Sequence, residues 1–285
     1  MAAVVAMRVA LQTDLAGFVA LLQRFHVPHR VSEESGEQVL WVPNDSIAEK
    51  VRELYEQYPH GDGQAPLPAP KTAKLSVVRQ LRQSPATTAL LVLTLIVFTL
   101  TMGGENLTHV GWLSFVELYQ QGSGFYLSNL QNTLEAGQWW RLITPIFVHF
   151  GLLHLAMNSL WLWELGRRIE WLQGAVTLLL LVAFFGVVSN FAQYWWSGPS
   201  LFGGLSGVLY GLLGHCWMYQ KLASNPVYRL PPGVLVLMLV WLVVCMTGVL
   251  ELLQMASIAN AAHLGGLVAG CVTGLLSGAL ARRAR

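Results

Sequence analysis

The sequence predicts an all-α polytopic membrane protein, a bundle of six transmembrane helices, preceded by a small N-terminal α+β domain. Three observations predict this organisation. Only 11% of the 285 residues are charged, and the mean hydropathy is +0.50, whereas a soluble chain carries about 25% charged residues. All three aspartates lie within the first 62 residues. From residue 87 onwards there are six apolar runs, each close to the roughly 20 residues that cross a bilayer as a helix.

Residues 1–59 are predicted to form the small cytoplasmic α+β domain. Apolar residues at every second position over 5–11 are typical of a half-buried strand. Thr13 or Asp14 is expected to cap the first helix, Pro28 places the second strand at a sheet edge, and Asp45 is the expected N-cap of the last helix. The predicted elements after the first strand are a helix over about 14–25, strands over 27–31 and 38–42, and a helix over about 46–58. No catalytic constellation is visible in this domain, which favours an accessory or regulatory role.

Residues 60–86 are predicted to be a linker, and residues 87–285 the membrane domain. The linker holds three prolines within the stretch 66–70, a composition typical of an extended, semi-rigid segment. The apolar runs must be helices, because lipid offers no hydrogen bonds to an unpaired backbone. They are placed at about 87–104, 147–166, 174–196, 204–221, 233–252 and 260–280.

The basic residues predict the orientation of the six helices. Of the twelve Lys and Arg beyond residue 70, only Arg141 falls on the outer side of a six-helix topology. The other eleven share the opposite side, at positions 71, 74, 79, 82, 167, 168, 221, 229, 282, 283 and 285. The positive-inside rule therefore places both termini in the cytoplasm.

The rest of the composition narrows the function. A net charge of +2 is too small to indicate a nucleic-acid partner. The three cysteines lie in apolar segments, which favours packing over redox or metal chemistry. The long connection 105–146 carries seven aromatic residues. Because Trp and Tyr prefer the headgroup layer, this connection is predicted to lie partly in the membrane interface.

Four polar side chains near the outer ends of the helices are the candidate site residues: Ser206, His263, His154 and Asn158. Polar side chains inside a membrane are costly and face the bundle interior or a water-filled cavity. Each one alone has an ordinary structural explanation, such as packing or an interhelical hydrogen bond. Four polar side chains at compatible depths in the membrane favour a functional site over four separate structural roles. A channel or transporter is a weaker alternative, since it predicts polar residues near the middle of the membrane.

Glycines on two of the helices predict how the serine and the histidine meet. The fourth run carries glycines at 207, 211 and 214, and the sixth carries them at 266, 270, 274 and 278. Faces of small residues at this spacing let helix backbones approach closely. Ser206 adjoins Gly207, and His263 precedes Gly266 by three residues. Packing these two faces would bring the hydroxyl and the imidazole together.

The chemistry of such a pair is that of a serine nucleophile and a histidine base. A serine hydroxyl attacks only when a base removes its proton, and neutral histidine suits that role. Ser206 opens a helix whose first backbone N–H groups are free to stabilise an oxyanion, and His154 and Asn158 add side-chain donors. No aspartate follows residue 62, so the sequence predicts a dyad, with Tyr210 one turn below Ser206 placed to pack on the imidazole.

These residues resemble the motifs of the rhomboid intramembrane serine proteases, in particular the bacterial type with an N-terminal cytoplasmic domain. The resemblance covers about residues 87–280 and rests on four elements. They are Trp140-Arg141, His154-x-x-x-Asn158, Gly204-Leu205-Ser206-Gly207 with Tyr210, and Ala262-His263-x-x-Gly266-x-x-x-Gly270. Metalloproteases of the His-Glu-x-x-His kind and intramembrane aspartyl proteases lack the required residues here, because no Glu separates His149 from His154 and no Asp lies in the apolar runs.

The resemblance implies an intramembrane serine endopeptidase that cleaves transmembrane helices of membrane proteins. The partners it implies are these substrates and membrane lipid, and it implies no cofactor and no metal. It implies Ser206 as nucleophile and His263 as base. It further implies an oxyanion site of His154, Asn158 and the Ser206 N–H, supported by Gly204, Gly207 and Tyr210. The fifth helix, with Trp241 and the loop 254–259, is implied as a lateral gate, and the location is the bacterial inner membrane. The alternative is a catalytically silent rhomboid-like binder of membrane helices, against which the presence of both Ser206 and His263 argues.

Overall fold

The computed structural model describes residues 4–61, 77–231, 233–249 and 258–283. The chain divides into two compact units, residues 1–76 and 77–285. Most of the predicted linker, the basic residues Lys71 and Lys74, and residues 254–257 of the predicted gate lie outside the described residues.

The first unit is a three-stranded antiparallel sheet covered by two helices. The strands pair in the order β1-β3-β2, so β3 is central and β2 lies at an edge. Phe18 and Leu21 of α1 and Leu40 of β3 are fully buried and form its core with Val51 of α2. The elements are β1 (Val4–Ala10), α1 (Ala16–Arg24), β2 (Arg30–Glu34), β3 (Glu37–Val42) and α2 (Asp45–Gln57).

The capping predictions in this unit were wrong in detail. Asn44, and not Asp45, is the N-cap of α2, where its side chain accepts from the N–H of Ile47. Helix α1 has no side-chain cap, although Asp14 accepts from the N–H of Ala16 nearby. Strand β2 begins three residues later than predicted, beyond Pro28, whose ring removes a ladder donor.

The second unit is mainly helical. Its helices are α3 (Val77–Gln83), α4 (Pro85–Leu100), α5 (Leu107–Leu113), α6 (Leu130–Glu135), α7 (Leu152–Gln173), α8 (Ala175–Ser197), α9 (Ser206–Leu222), α10 (Val234–Met246) and α11 (Asn260–Arg283). A short hairpin of β4 (Leu118–Gln121) and β5 (Gly124–Leu127) lies between α5 and α6. By length and composition, α8 and α11 are apolar enough to cross a membrane, while α4 and α10 are shorter apolar helices. The count of six spanning helices therefore stays a prediction.

Helix α7 differs most from its predicted bounds of 147–166. It begins after Gly151, whose φ is +90°, and it continues through Arg167 and Arg168 to Gln173. The charged turns stay helical because Glu164 forms ion pairs with both arginines. Glu170 is also paired, since its carboxylate accepts from the N–H groups of residues 86 and 87 at the start of α4. Hydropathy alone cannot detect charges that are satisfied in this way.

The connection before α7 is a structured segment held by Arg141. Its buried guanidinium donates to the carbonyl oxygens of Gly111 and of Ser114, and to the side-chain oxygen of Gln138 at 2.6 Å. Burial lowers the pKa of Arg141, while the charge of Glu117 raises it. Its position at the membrane interface stays a prediction.

Helix α9 is the centre of the second unit, because most of its residues are buried. It runs parallel to α11, and the two backbones touch through glycines at successive turns. A Cβ at Gly266 would overlap the carbonyl oxygen of Gly207, and one at Gly270 would overlap that of Gly211. This close approach places the beginnings of α9 and α11 side by side.

Candidate active site

Ser206 is the first residue of α9 and follows a turn that contains two glycines. Gly204 has a φ of +111°, a conformation that side-chain-bearing residues rarely adopt, and its N–H donates to the carbonyl of Pro145 at 3.1 Å. At Gly203, a Cβ would lie 2.8 Å from the carbonyl oxygen of Val148. The two glycines therefore let the chain pass close to the 145–148 backbone just before the serine.

His263 lies in the first turn of α11 and is buried. Its Nε2 is 2.7 Å from the hydroxyl oxygen of Ser206, a normal hydrogen-bond length. The predicted nucleophile and the predicted base are thus in direct contact. The parallel packing of α9 on α11 accounts for this contact.

Tyr210 packs on the imidazole of His263, with the two ring centroids 5.0 Å apart. Its hydroxyl donates to the carbonyl oxygen of Met238 on α10 at 2.9 Å. The other imidazole nitrogen of His263, Nδ1, has no hydrogen-bond partner among the described residues. The ring is therefore held by Tyr210 and by the Ser206 hydroxyl.

His154 and Asn158 lie one turn apart on α7 and approach the turn that precedes Ser206. A Cβ at Gly204 would lie 2.6 Å from Nε2 of His154 and 3.7 Å from Nδ2 of Asn158. Only glycine leaves room at this position for the two polar side chains. Asn158 also donates to the backbone carbonyl of His154 at 3.0 Å, which fixes the orientation of its amide.

His149 is a supporting residue that the sequence reasoning did not place in the site. It is fully buried, its ring lies 4.9 Å from that of His154, and its Nδ1 lies 3.0 Å from the carbonyl of Phe147. Because a carbonyl only accepts, Nδ1 carries the proton, and Nε2 is left to accept from the N–H of Leu205 at 3.5 Å. In the sequence, the feature that could have identified His149 as part of the site is its position as a histidine within an apolar run.

Gln193 of α8 is a second supporting residue that was not predicted. Its side-chain oxygen accepts from the N–H of Ala262 at 3.2 Å, in the first turn of α11. Ser189, one turn earlier on α8, packs against Gly207, where a Cβ would lie 2.6 Å from the serine Cβ. Two polar residues four apart in an apolar helix were the available signal.

The predicted gate residues are only partly described. Trp241 of α10 is about half exposed, at 53%, together with apolar neighbours on the same helix. Within the described parts of the chain, no group of three or more His, Cys, Asp or Glu side chains is arranged to hold a metal ion.

Comparison with known proteins gives the family. Residues 136–279 match the rhomboid domain, and residues 1–69 match the rhomboid N-terminal domain. The chain is 33% identical over 269 residues to the rhomboid protease GlpG of Serratia proteamaculans, covering 89% of each chain. It is 29% identical over 267 residues to the rhomboid protease GlpG of Yersinia pestis, again covering 89% of each. The chain therefore belongs to the rhomboid family.

Proposed function

We propose that this chain is an intramembrane serine endopeptidase in which Ser206 and His263 form the catalytic dyad. Membership of the rhomboid family, with relatives named rhomboid protease, makes it a serine-type protease of the bacterial membrane. The observation that carries the dyad is the 2.7 Å contact between the Ser206 hydroxyl and Nε2 of His263.

In the proposed reaction, the Ser206 oxygen adds to the carbonyl carbon of the scissile peptide as its proton passes to Nε2 of His263. The tetrahedral intermediate collapses when its C–N bond breaks and His263 returns the proton to the leaving amine. Water then adds to the acyl carbon as its proton passes to His263. The bond between that carbon and the Ser206 oxygen breaks, the carboxyl product leaves, and His263 returns the proton to the Ser206 oxygen. Each proton leaves and returns through one imidazole nitrogen, which is the nitrogen that faces Ser206.

The proposed oxyanion site consists of the Ser206 N–H, His154 and Asn158. Ser206 begins α9, so its N–H has no intrahelical acceptor, and the positive end of the helix dipole lies there. His154 and Asn158 approach Gly204 through Nε2 and Nδ2, respectively. This approach supports the proposal that these two side chains supply further donors beside the Ser206 N–H. Such donors each contribute about 3 kcal/mol of transition-state stabilisation in acyl transfer.

A dyad needs something other than a carboxylate to orient the histidine. Nδ1 of His263 has no partner among the residues that the structure describes, and the ring of Tyr210 packs against the imidazole, which supports that role for the tyrosine. Gly207 supports the dyad by letting α11 approach α9.

The proposed substrates are transmembrane helices of membrane proteins, taken from the surrounding lipid. A helix hides its peptide carbonyls in internal hydrogen bonds, so the substrate must unwind locally before Ser206 can attack. Substrates with helix-weakening residues and a small residue at the scissile position are therefore expected to be preferred. Stabilising such a helix should slow its cleavage, and an unchanged rate would contradict this preference.

The proposed setting is a six-helix membrane domain over residues 87–285, with a cytoplasmic domain over 1–59 and a linker over 60–86. Large apolar side chains stand exposed on the helices, as at Leu95 of α4, Leu180 of α8 and Leu276 of α11. Exposed apolar surface of this extent is typical of lipid contact. The distribution of Lys and Arg supports cytoplasmic termini, and an inner-membrane location follows from that orientation.

Lateral access past α10 is the proposed route to the dyad. The described part of α10 exposes Val236, Val240 and Trp241, and its hydrogen bonds to neighbouring helices join Met238 to Tyr210 and Cys245 to Asn260. A helix held by so few directional contacts is suited to moving aside.

The direct test compares wild type with Ser206→Ala, using the purified full chain in detergent and a transmembrane substrate. Wild type should cleave and Ser206→Ala should not, while the control Ser277→Ala, which alters a serine at the other end of α11 from His263, should cleave like wild type. Cleavage by Ser206→Ala, or by neither protein across several substrates, would contradict the proposal. The second of these results is the one that a catalytically silent binder predicts.

A further inference from the structure

Below the dyad, a buried histidine of α9 forms a hydrogen bond with α11. His215 is fully buried, and its Nδ1 lies 3.1 Å from the hydroxyl oxygen of Thr273. The Thr273 hydroxyl also donates to the carbonyl of Gly270 at 3.0 Å. Because a hydroxyl has one proton and that carbonyl accepts it, Nδ1 of His215 must be the donor in the bond between the helices.

This bond occurs where glycines of α11 lie directly against the backbone of α9. The contact face of α11 is formed by glycines, and a Cβ at Gly274 would overlap the carbonyl oxygen of His215 itself. Side-chain ridges that fit into grooves normally fix the register of packed helices. A glycine face has no such ridges, and lipid adds no hydrophobic force between helices. A directional hydrogen bond is therefore well placed to resist sliding of α9 along α11.

The same two helices carry the dyad at their beginnings. Ser206 precedes His215 by nine residues, and His263 precedes Thr273 by ten. These separations correspond to about 13–15 Å of continuous helix at ~1.5 Å per residue. Because α9 and α11 are parallel, an axial slide at one bond produces a similar slide at the other. The 2.7 Å contact of Ser206 with His263 tolerates only a few tenths of an ångström before it leaves the hydrogen-bond range.

We propose that His215 and Thr273 are positioning residues, whose bond sets the register of α9 against α11 and thereby the distance between Ser206 and His263. Neither residue touches the reacting atoms, and their effect on the reaction is transmitted through the two helices. The inference rests on the proposed dyad.

The test substitutes Thr273 in the full chain. Thr273→Val keeps the shape and removes the hydroxyl, while Thr273→Ser keeps the hydroxyl. The control is Thr94→Val, since Thr94 is fully buried, more so than Thr273, and donates at 2.8 Å to the carbonyl of Leu90 in its own helix. Two readouts are compared: kcat and KM on a transmembrane substrate, and the rate at which a small fluorophosphonate labels Ser206. In that labelling, the Ser206 oxygen bonds to phosphorus, fluoride leaves and the proton passes to His263. Because the reagent is small, its rate does not depend on the entry of a transmembrane helix into the site.

Thr273→Val should lower both kcat and the labelling rate about fivefold to twentyfold, which is less than the ~100-fold cost of a full 1 Å misplacement. KM should stay within about twofold, and Thr273→Ser and Thr94→Val should react like wild type. Combining His215→Phe with Thr273→Val should add little to either single change, because both remove the same bond.

Three results would overturn the proposal. One is a Thr273→Val protein that matches Thr94→Val in kcat and labelling. Another is a loss confined to KM, which would indicate a role in binding. The third is a Thr273→Val protein that cannot be purified folded, because a single bond that only sets register does not decide folding. If one of these results occurs and Ser206→Ala is inactive, the positioning proposal is wrong but the proposed dyad still stands. Activity in Ser206→Ala would contradict the dyad itself.

Discussion

Helix α9 contacts α11 and α10 in different ways. The first contact holds the proposed dyad, and the second borders the proposed route of substrate entry. Against α11, α9 makes backbone-to-backbone contact through glycines over several turns. Toward α10, α9 is connected by the hydrogen bond that the Tyr210 hydroxyl donates to the carbonyl of Met238, and much of α10 is exposed. The dyad lies across the first contact, where the two backbones leave no room for side chains between them. The second contact is the one suited to movement during substrate access.

The largest expected effect comes from breaking the α9–α11 contact. Gly266→Ala places a methyl group on the carbonyl oxygen of Gly207, so the helices must separate next to the dyad. We expect activity to fall by at least ~100-fold, the order of loss that follows a misplacement of about 1 Å. Cleavage rate and thermal stability of the purified protein measure it.

Gly278→Ala is the matched control at the far end of the same helix. A Cβ there would lie 3.1 Å from its nearest neighbours, so a small shift accommodates it. Equal losses for the two variants would show that the contact beside the dyad has no special importance.

A smaller effect is expected from α7, which contacts the turn before Ser206. Asn158→Ala removes one proposed oxyanion donor and should lower kcat by about 100-fold, the lower end of the loss measured for such donors. KM should change little, because the donor acts on the charge that develops in the transition state. An unchanged kcat would remove Asn158 from the oxyanion site.

The smallest effect is expected at the α9–α10 contact. Tyr210→Phe keeps the ring that packs on His263 and removes the hydrogen bond to Met238, which is worth about 1 kcal/mol. We expect a change of a few fold in cleavage of transmembrane substrates and none in the labelling of Ser206 by a small phosphonate. Tyr228→Phe serves as control, because its hydroxyl has no partner among the described residues.

A fall in phosphonate labelling by Tyr210→Phe would contradict this division of roles. It would mean that the tie to α10 also holds the dyad together.

The sequence was sufficient for the parts of the site that depend on helix periodicity. Glycines four residues apart on two apolar helices imply close approach, and this approach joins Ser206 to His263. The small domain was also predictable, since its strand and helix patterns are short and regular.

The remaining features depend on turn geometry and side-chain pairing that periodicity does not show, or on partners that lie far away in the chain. The start of α7 at Leu152 depends on the glycine turn before it, and its extension to Gln173 depends on Glu164 and Glu170 finding basic and backbone partners. His149 supports the site only because Leu205 arrives beside it, 56 residues later in the chain. Asn44 and Asp45 are both good capping residues, and the turn geometry selects Asn44.

The most direct test of the central claim is whether the reactivity of Ser206 depends on His263. Wild type, His263→Ala and Ser206→Ala are incubated with a fluorophosphonate, and the modified residue is identified by mass spectrometry. A Ser206–His263 dyad predicts labelling of wild type at Ser206, at least ~100-fold slower labelling of folded His263→Ala, and none at this position in Ser206→Ala. Labelling of His263→Ala at the wild-type rate would contradict the dyad.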